Sequence, residues 1–163
     1  MAQSDRRAIT FVLLAGFVAG LLDIIYALLF HGARGVPHIA VLQSIASALH
    51  GPAAFRGGAA AAGEGLALHF LISCAAAAAY FAAAWRLPLL ARRPCLFGPV
   101  FGLAFWALMN FLVVPLSAAR FGPPDSAEVV GGLLAHAFLF GLPIALVARR
   151  VFGAPRRALA EPV

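Results

Sequence analysis

Lysine is absent from the 163-residue chain, acidic residues number six, and charged residues of both signs make up 11% of it. A soluble domain carries about a quarter charged residues, so this composition excludes a cytosolic enzyme and a charge-rich disordered tail. Cysteine is nearly as scarce. Cys74 and Cys95 have no CxxC spacing, which excludes a disulfide-rich secreted module; both are expected to be packing residues with no bridge between them. Catalytic signatures are missing too. There is no GxSxG elbow, Walker loop, nucleotide-binding glycine motif or paired-carboxylate motif, and Ser44, Ser47, Ser73 and Ser117 have no identified base.

What is present is apolar and arranged in long runs. Hydrophobic residues make up 63% of the chain and its mean hydropathy is +0.96. Four runs are long enough to cross a bilayer: about 8–30, 63–85, 95–116 and 129–148. At 1.5 Å per residue the first extends about 34 Å, against a hydrocarbon core of about 30 Å. Backbone groups in lipid must be satisfied internally, so each run is expected to be helical. The fold class is therefore all-α: an integral membrane four-helix bundle with one transmembrane domain over 8–150, a short N-terminus at 1–7 and a tail at 151–163. Arg6 and Arg7 before the first run superficially resemble a signal peptide, but the run is too long for one and no convincing cleavage site follows, so it reads as an uncleaved first span.

The twelve basic residues are all arginine, and net charge is +6. They lie between the apolar runs rather than in one stripe, which argues against nucleic-acid binding. Nine of them (Arg6, Arg7, Arg86, Arg92, Arg93, Arg149, Arg150, Arg156 and Arg157) fall on one side of the four-span scheme, and three (Arg34, Arg56 and Arg120) on the other. The positive-inside rule places both termini in the cytoplasm.

Between the first two runs, Val36 to Phe55 carries no charge. A fifth span there would put the 86–93 arginines outside. On a helix over 38–50, Gln43, Ser47 and His50 share one face while Ile39, Leu42, Ile45 and Leu49 lie mostly opposite. The segment is expected to be a short interfacial or re-entrant helix over the outer mouth, with Gly51, Pro52, Gly57 and Gly58 turning the chain into the second span.

Gly16-x-x-x-Gly20 and Gly98-x-x-x-Gly102 place two glycines on one helix face, a pattern that lets backbones approach closely. Such faces pack within a monomer or between copies of a homo-oligomer; a compact intramolecular bundle is the first choice. Pro115 helps end the third span. Pro143 lies inside the fourth, where it frees a backbone carbonyl and bends the helix, as a kink or a hinge.

Depth arithmetic supplies the functional clue. Asp23 lies about 10 Å below the outer end of span one, His69 about 9 Å below that of span two, Asn110 about 9 Å below that of span three, and His136 about 10 Å below that of span four. Each helix thus offers one polar side chain at nearly the same level, with Glu64 above them near the mouth and Tyr26 and His31 further along span one. A carboxylate in lipid is costly, so Asp23 is expected to face the bundle interior with a partner, His69 or His136, and Asn110 to hydrogen-bond to either. Three readings compete. The cluster is a polar network fixing helix register in a structural or accessory protein; or it is a proton relay or cation-coupled transport site built on Asp23, Glu64, His69, Asn110 and His136; or Asp23, His69 and His136 hold a metal, or the two histidines a haem. The sequence identifies no cofactor. His31, His38 and His50 are read as loop or interface residues.

The segments GFVAGLLD (Gly16 to Asp23), VLQSIAS (Val41 to Ser47), GLALHF (Gly65 to Phe70), MNFLVVPLS (Met109 to Ser117) and HAFLFGLPIA (His136 to Ala145) resemble those of small, uncharacterised bacterial inner-membrane proteins. More loosely, the chain is similar to the YagU-like inner-membrane proteins. The first resemblance covers most of residues 10–150. It implies a multi-pass protein of the bacterial inner (cytoplasmic) membrane with the 38–50 helix as a regular element, and it names no substrate or mechanism.

Overall fold

The computed structural model describes residues 2–152, with side chains from Arg7 onward. Of the expected cytoplasmic segments, the side chain of Arg6 and the tail beyond Phe152, with Arg156 and Arg157, lie outside the described residues. The chain is all-helical. Helix α1 (Ala2–Ala33) leads to the short α2 (His38–His50) and a 3-10 turn at Gly51–Arg56; then come α3 (Gly58–Arg86) and a one-turn α4 (Pro88–Arg92). The last two long helices, α5 (Pro94–Leu116) and α6 (Ser126–Phe152), complete a set of four that are long and apolar enough to cross a membrane. At 13 residues α2 does not span.

Local chemistry explains the boundaries. Helix α1 ends in a Schellman motif: the Val36 N–H reaches the His31 carbonyl and the Gly35 N–H reaches that of Gly32, both at 3.0 Å. Gly35 takes the left-handed conformation (φ 84°) that this cap requires, and Pro37 follows at once. Helix α3 begins five residues before the hydropathy run, because Ala59 to Ala62 extend it back to Gly58. Helix α6 begins three residues early at a capping box: Asp125 accepts the Glu128 N–H at 2.9 Å and the Glu128 carboxylate accepts the Asp125 N–H at 3.0 Å.

Two kinds of contact hold the helices together. Around the end carrying both termini, a core of mostly small side chains, including Ala15, Ala76, Ala84, Ala145 and Ala148, surrounds the fully buried Ile144. Both glycine motifs pack inside the monomer. Gly16 and Gly20 lie against Cys74 and Ser73 of α3, where an added Cβ would come within 2.5 and 2.8 Å of their atoms. Gly98 meets Leu142 of α6, and Gly102 lies against the His136 carbonyl. Cys74 and Cys95 are free thiols.

At the opposite end, α2 turns its polar face inward. Gln43 and Ser47 are buried, while Ile39 and Leu49 point outward. The Gln43 side-chain amide donates to the Gly58 carbonyl at 3.0 Å, the Ala48 carbonyl accepts the Ala118 N–H at 3.0 Å, and the Leu42 carbonyl presses on Gly65. The short helix is thus keyed into α3 and the loop after α5.

Candidate functional site

Two adjoining cavities open between α1, α2, α5 and α6. The larger, about 1000 Å³, reaches the loop over 119–124; the smaller, about 260 Å³, also touches α3. Asp23, Asn110 and His136 border both, and His69 borders the smaller. One polar side chain from each long helix therefore faces a common space, roofed by Ser44 of α2.

The four side chains make different contacts. The Asp23 side chain is 14% exposed, with the Tyr26 hydroxyl one turn on close enough to feel its charge and His136 Nδ1 at 3.6 Å. That exceeds hydrogen-bond range. Among those residues every buried side-chain polar atom has a hydrogen-bond partner, so the unbonded carboxylate oxygens face the open cavity. His136 Nδ1 lies 3.1 Å from the Gly132 carbonyl. A carbonyl only accepts, so Nδ1 carries the proton and Nε2 keeps its lone pair. His69 Nε2 donates to the Gly20 carbonyl at 2.8 Å by the same argument, and the Asn110 Nδ2 donates to Trp106 one turn back on its own helix at 2.9 Å.

Asn110 and His136 occupy unusual backbone. Each lies in a π-helical turn, Met109–Val113 and His136–Gly141, closed by i to i−5 bonds from Val114 to Met109 and from Leu142 to Ala137. Each turn precedes a proline, Pro115 or Pro143, that has no N–H to give the carbonyl four residues back. The widened turn accommodates that missing bond and re-aims the side chains within it. Pro143 thus works together with the π turn before it.

Below the site the bundle is filled by aromatic rings. His136 lies tilted against Phe140, Phe140 stacks on Phe105 at 5.0 Å, Phe105 on Phe101, and Phe101 stands edge-on to Tyr80 at 5.0 Å. The Tyr80 hydroxyl donates to the Leu90 carbonyl of α4 at 3.0 Å. Four rings therefore separate His136 from the end carrying the termini.

Several expected pairings are not made. His69 is hydrogen-bonded to backbone rather than to Asp23, and Asn110 bonds to neither Asp23 nor a histidine. Glu64 borders neither cavity; it pairs with His50 of α2 at 2.8 Å, both half-exposed. Among the described residues no three His, Cys, Asp or Glu side chains are grouped to hold a metal ion. The 260 Å³ space shared by His69 and His136 falls below the roughly 300–1,000 Å³ of pockets for drug-sized ligands, too small for a porphyrin.

Sequence reasoning missed other groups. Trp106 is one turn before Asn110 and Gly132 one turn before His136; helical spacing alone puts each beside a residue already singled out. Trp106 Nε1 rests against Gly132, where an added Cβ would lie 2.7 Å away. At the rim, Arg34 forms an ion pair with Asp125 and lies over the Phe30 ring at 5.3 Å. Comparison with protein-family models, curated proteins and solved structures gives no match, so the inner-membrane resemblance extends only to a multi-pass, all-α membrane chain.

Proposed function

We propose that the chain is a proton- or cation-coupled transport component in which Asp23 and His136 form the protonatable pair and His69 a fixed neighbour. The observation that carries this reading is the Asp23 carboxylate: sheltered, without a hydrogen bond, 3.6 Å from an imidazole, and bordering a large cavity. A network serving only helix register would spend its polar groups on bonds between helices. Here His69 to Gly20 crosses from α3 to α1, but Asn110 and His136 bond to their own helices, and Asp23, though 3.6 Å from His136 of α6, makes no hydrogen bond.

Protonation balances simply. Asp23 ionised beside a neutral imidazole leaves the pair with one negative charge, which is costly at this depth. One proton from the cavity removes it, either on the carboxylate or on His136 Nε2. In the second form the Nδ1 proton stays on the Gly132 carbonyl, the imidazolium lies 3.6 Å from Asp23, and the pair is an internal ion pair. Release toward the terminal end requires the Phe105–Phe140 floor to part, and the π turn ahead of Pro143 gives α6 a place to bend. We further place the termini in the cytoplasm and residues 8–150 in one transmembrane domain of a bacterial inner membrane, supported by the nine-to-three arginine division and the segment resemblance.

The test is dye-reported proton flux into proteoliposomes under an imposed pH gradient. Asp23→Asn is expected to cut flux about 100-fold, the lower end of what a positioned proton-transfer group contributes, with His136→Gln close behind. Undiminished flux in a correctly folded Asp23→Asn protein defeats the proposal.

A further inference from the structure

The larger cavity has more to bind with than a proton requires. Beside the Asp23 carboxylate it presents two donors that make no hydrogen bond among the described residues, the Tyr26 hydroxyl, which lies within the field of Asp23, and the Trp106 indole N–H. It also offers the Asn110 amide oxygen, left free while its Nδ2 bonds to Trp106, and the lone pair on His136 Nε2. The walls between these groups are aromatic: Tyr26 and Phe30 are stacked at 5.5 Å, and Trp106 of α5 lines the same cavity.

Charge selects the sign of a ligand. Of the cavity's basic side chains, Arg120 turns its Nη1 to the carbonyls of Ser117 and Ala119 at 2.9 and 2.6 Å, and His31, at the outer end of α1, stands edge-on to the Phe30 ring at 5.2 Å. Glu128 is held in the capping box at the rim. Asp23 remains as the uncompensated charge deep in the space. An anion would be repelled there, and a neutral solute would cover the carboxylate without pairing it. A bare metal ion would lack ligands, since no three suitable side chains converge among the described residues. Aromatic faces around a carboxylate suit a cation with an apolar body, and the volume suits a molecule of drug-like size.

We infer that the cavity binds a monovalent organic amine, its ammonium on Asp23 and its apolar body against Tyr26, Phe30 and Trp106. This rests on the proposed role of Asp23 as the protonatable group and deepens it: amine and proton compete for one carboxylate, so binding one expels the other, and the cation exchanged for the proton is the amine.

Trp106 reports on the site directly. The chain has two tryptophans, and Trp85 lies exposed on α3 outside both cavities, so Trp85→Phe leaves Trp106 as the single fluorophore. In lipid nanodiscs, with protein-free discs subtracted, its emission is titrated with phenethylammonium, 2-phenylethanol and phenylacetate. The expected result is saturable quenching by the ammonium at much lower concentration than by the alcohol, and none by the carboxylate. Asp23→Asn should weaken ammonium binding at least ~30-fold, as for truncating one side of a sheltered charge pair. Independently of any cavity variant, lowering the pH should weaken binding of the ammonium and leave that of the alcohol unchanged. Equal affinities for the three probes, no saturable quenching, or a pH-independent ammonium affinity overturns the amine assignment. Proton flux measured without amine separates the two ideas: flux retained with no ammonium binding removes the ligand and keeps the proton pair, whereas ammonium binding without flux removes the relay.

Discussion

The two ends of this bundle are built from similarly apolar sequence, yet one is solid and the other hollow. Near the termini, alanines and glycines let backbones approach until Gly98 meets Leu142 and Gly102 meets His136, and the space fills with Ile144, Phe140 and Tyr80. Beyond Phe105 and Phe140, the indole of Trp106 is wedged on Gly132, Tyr26 stands against Gly131, and two π turns widen α5 and α6. Residue size and proline placement decide which end closes, and polar side chains occupy the end that does not. A gradient of hydrophobicity would not have produced this division, because both ends expose apolar residues on the outside.

The division breaks most completely if the hollow end faces the wrong compartment. Reporter fusions near residue 90 and at the C-terminus are expected to give cytoplasmic signals, and one near residue 122, beside the cavity mouth, the opposite signal. The effect is all or none. A non-cytoplasmic signal near residue 90 would reverse the side from which Asp23 is reached, while leaving the bundle as it is.

Next in size is a paired substitution that compares the ends directly. Gly102→Ala places a methyl on the His136 carbonyl with backbone all round it, and forcing α5 from α6 is expected to cost about 1–3 kcal/mol. Gly63→Ala makes the same chemical change in the first turns of α3, where nothing lies within 4 Å. Helix propensity there favours alanine by up to ~1 kcal/mol. Thermal or denaturant unfolding in detergent should therefore move in opposite directions for the two variants. Equal shifts would mean that the tight approach at Gly102 does not hold the solid end together.

Much of this organisation was legible in the chain itself, and the unread parts have identifiable causes. Hydropathy marked four spans, and the alternation in HIAVLQSIASALH marked α2 from His38 to His50. Depth counting placed Asp23, His69, Asn110 and His136 around one space because helical rise is linear in residue number. Their bonding was not legible. The acceptors are carbonyls of Gly20, Trp106 and Gly132, and no residue-type pattern marks which carbonyls are within reach. The pairing of Glu64 with His50 likewise needed the docking of α2, which depends on contacts between its polar face, Gly58 and Gly65. The early start of α6 was readable: Asp125-x-x-Glu128 is a capping-box signature.

The smallest expected effect lies at the rim, where the hollow end meets water and is held by titratable contacts. Asp125 accepts the Glu128 N–H and pairs with Arg34, joining the start of α6 to the end of α1. The Glu128 N–H is the chief cause, partial desolvation opposes it and the Arg34 guanidinium adds to it; together they hold the Asp125 carboxyl below its ordinary value of 3.8. A depressed carboxyl stabilises the folded form fully above that ordinary value, and the contribution is lost as pH falls through the lower folded one. Amide-exchange protection factors over 126–129 should accordingly hold steady at neutral pH and decline only below the ordinary carboxyl value, with those over 142–148 unchanged across the same range. High salt should weaken the Arg34 part of the protection, because both side chains are substantially exposed. Asp125→Asn keeps a good N-cap but carries no charge, so it should flatten the acid limb. Acid loosening that appears equally over 142–148, or that persists in Asp125→Asn, would show that the rim is not where this protein's polar stabilisation is concentrated.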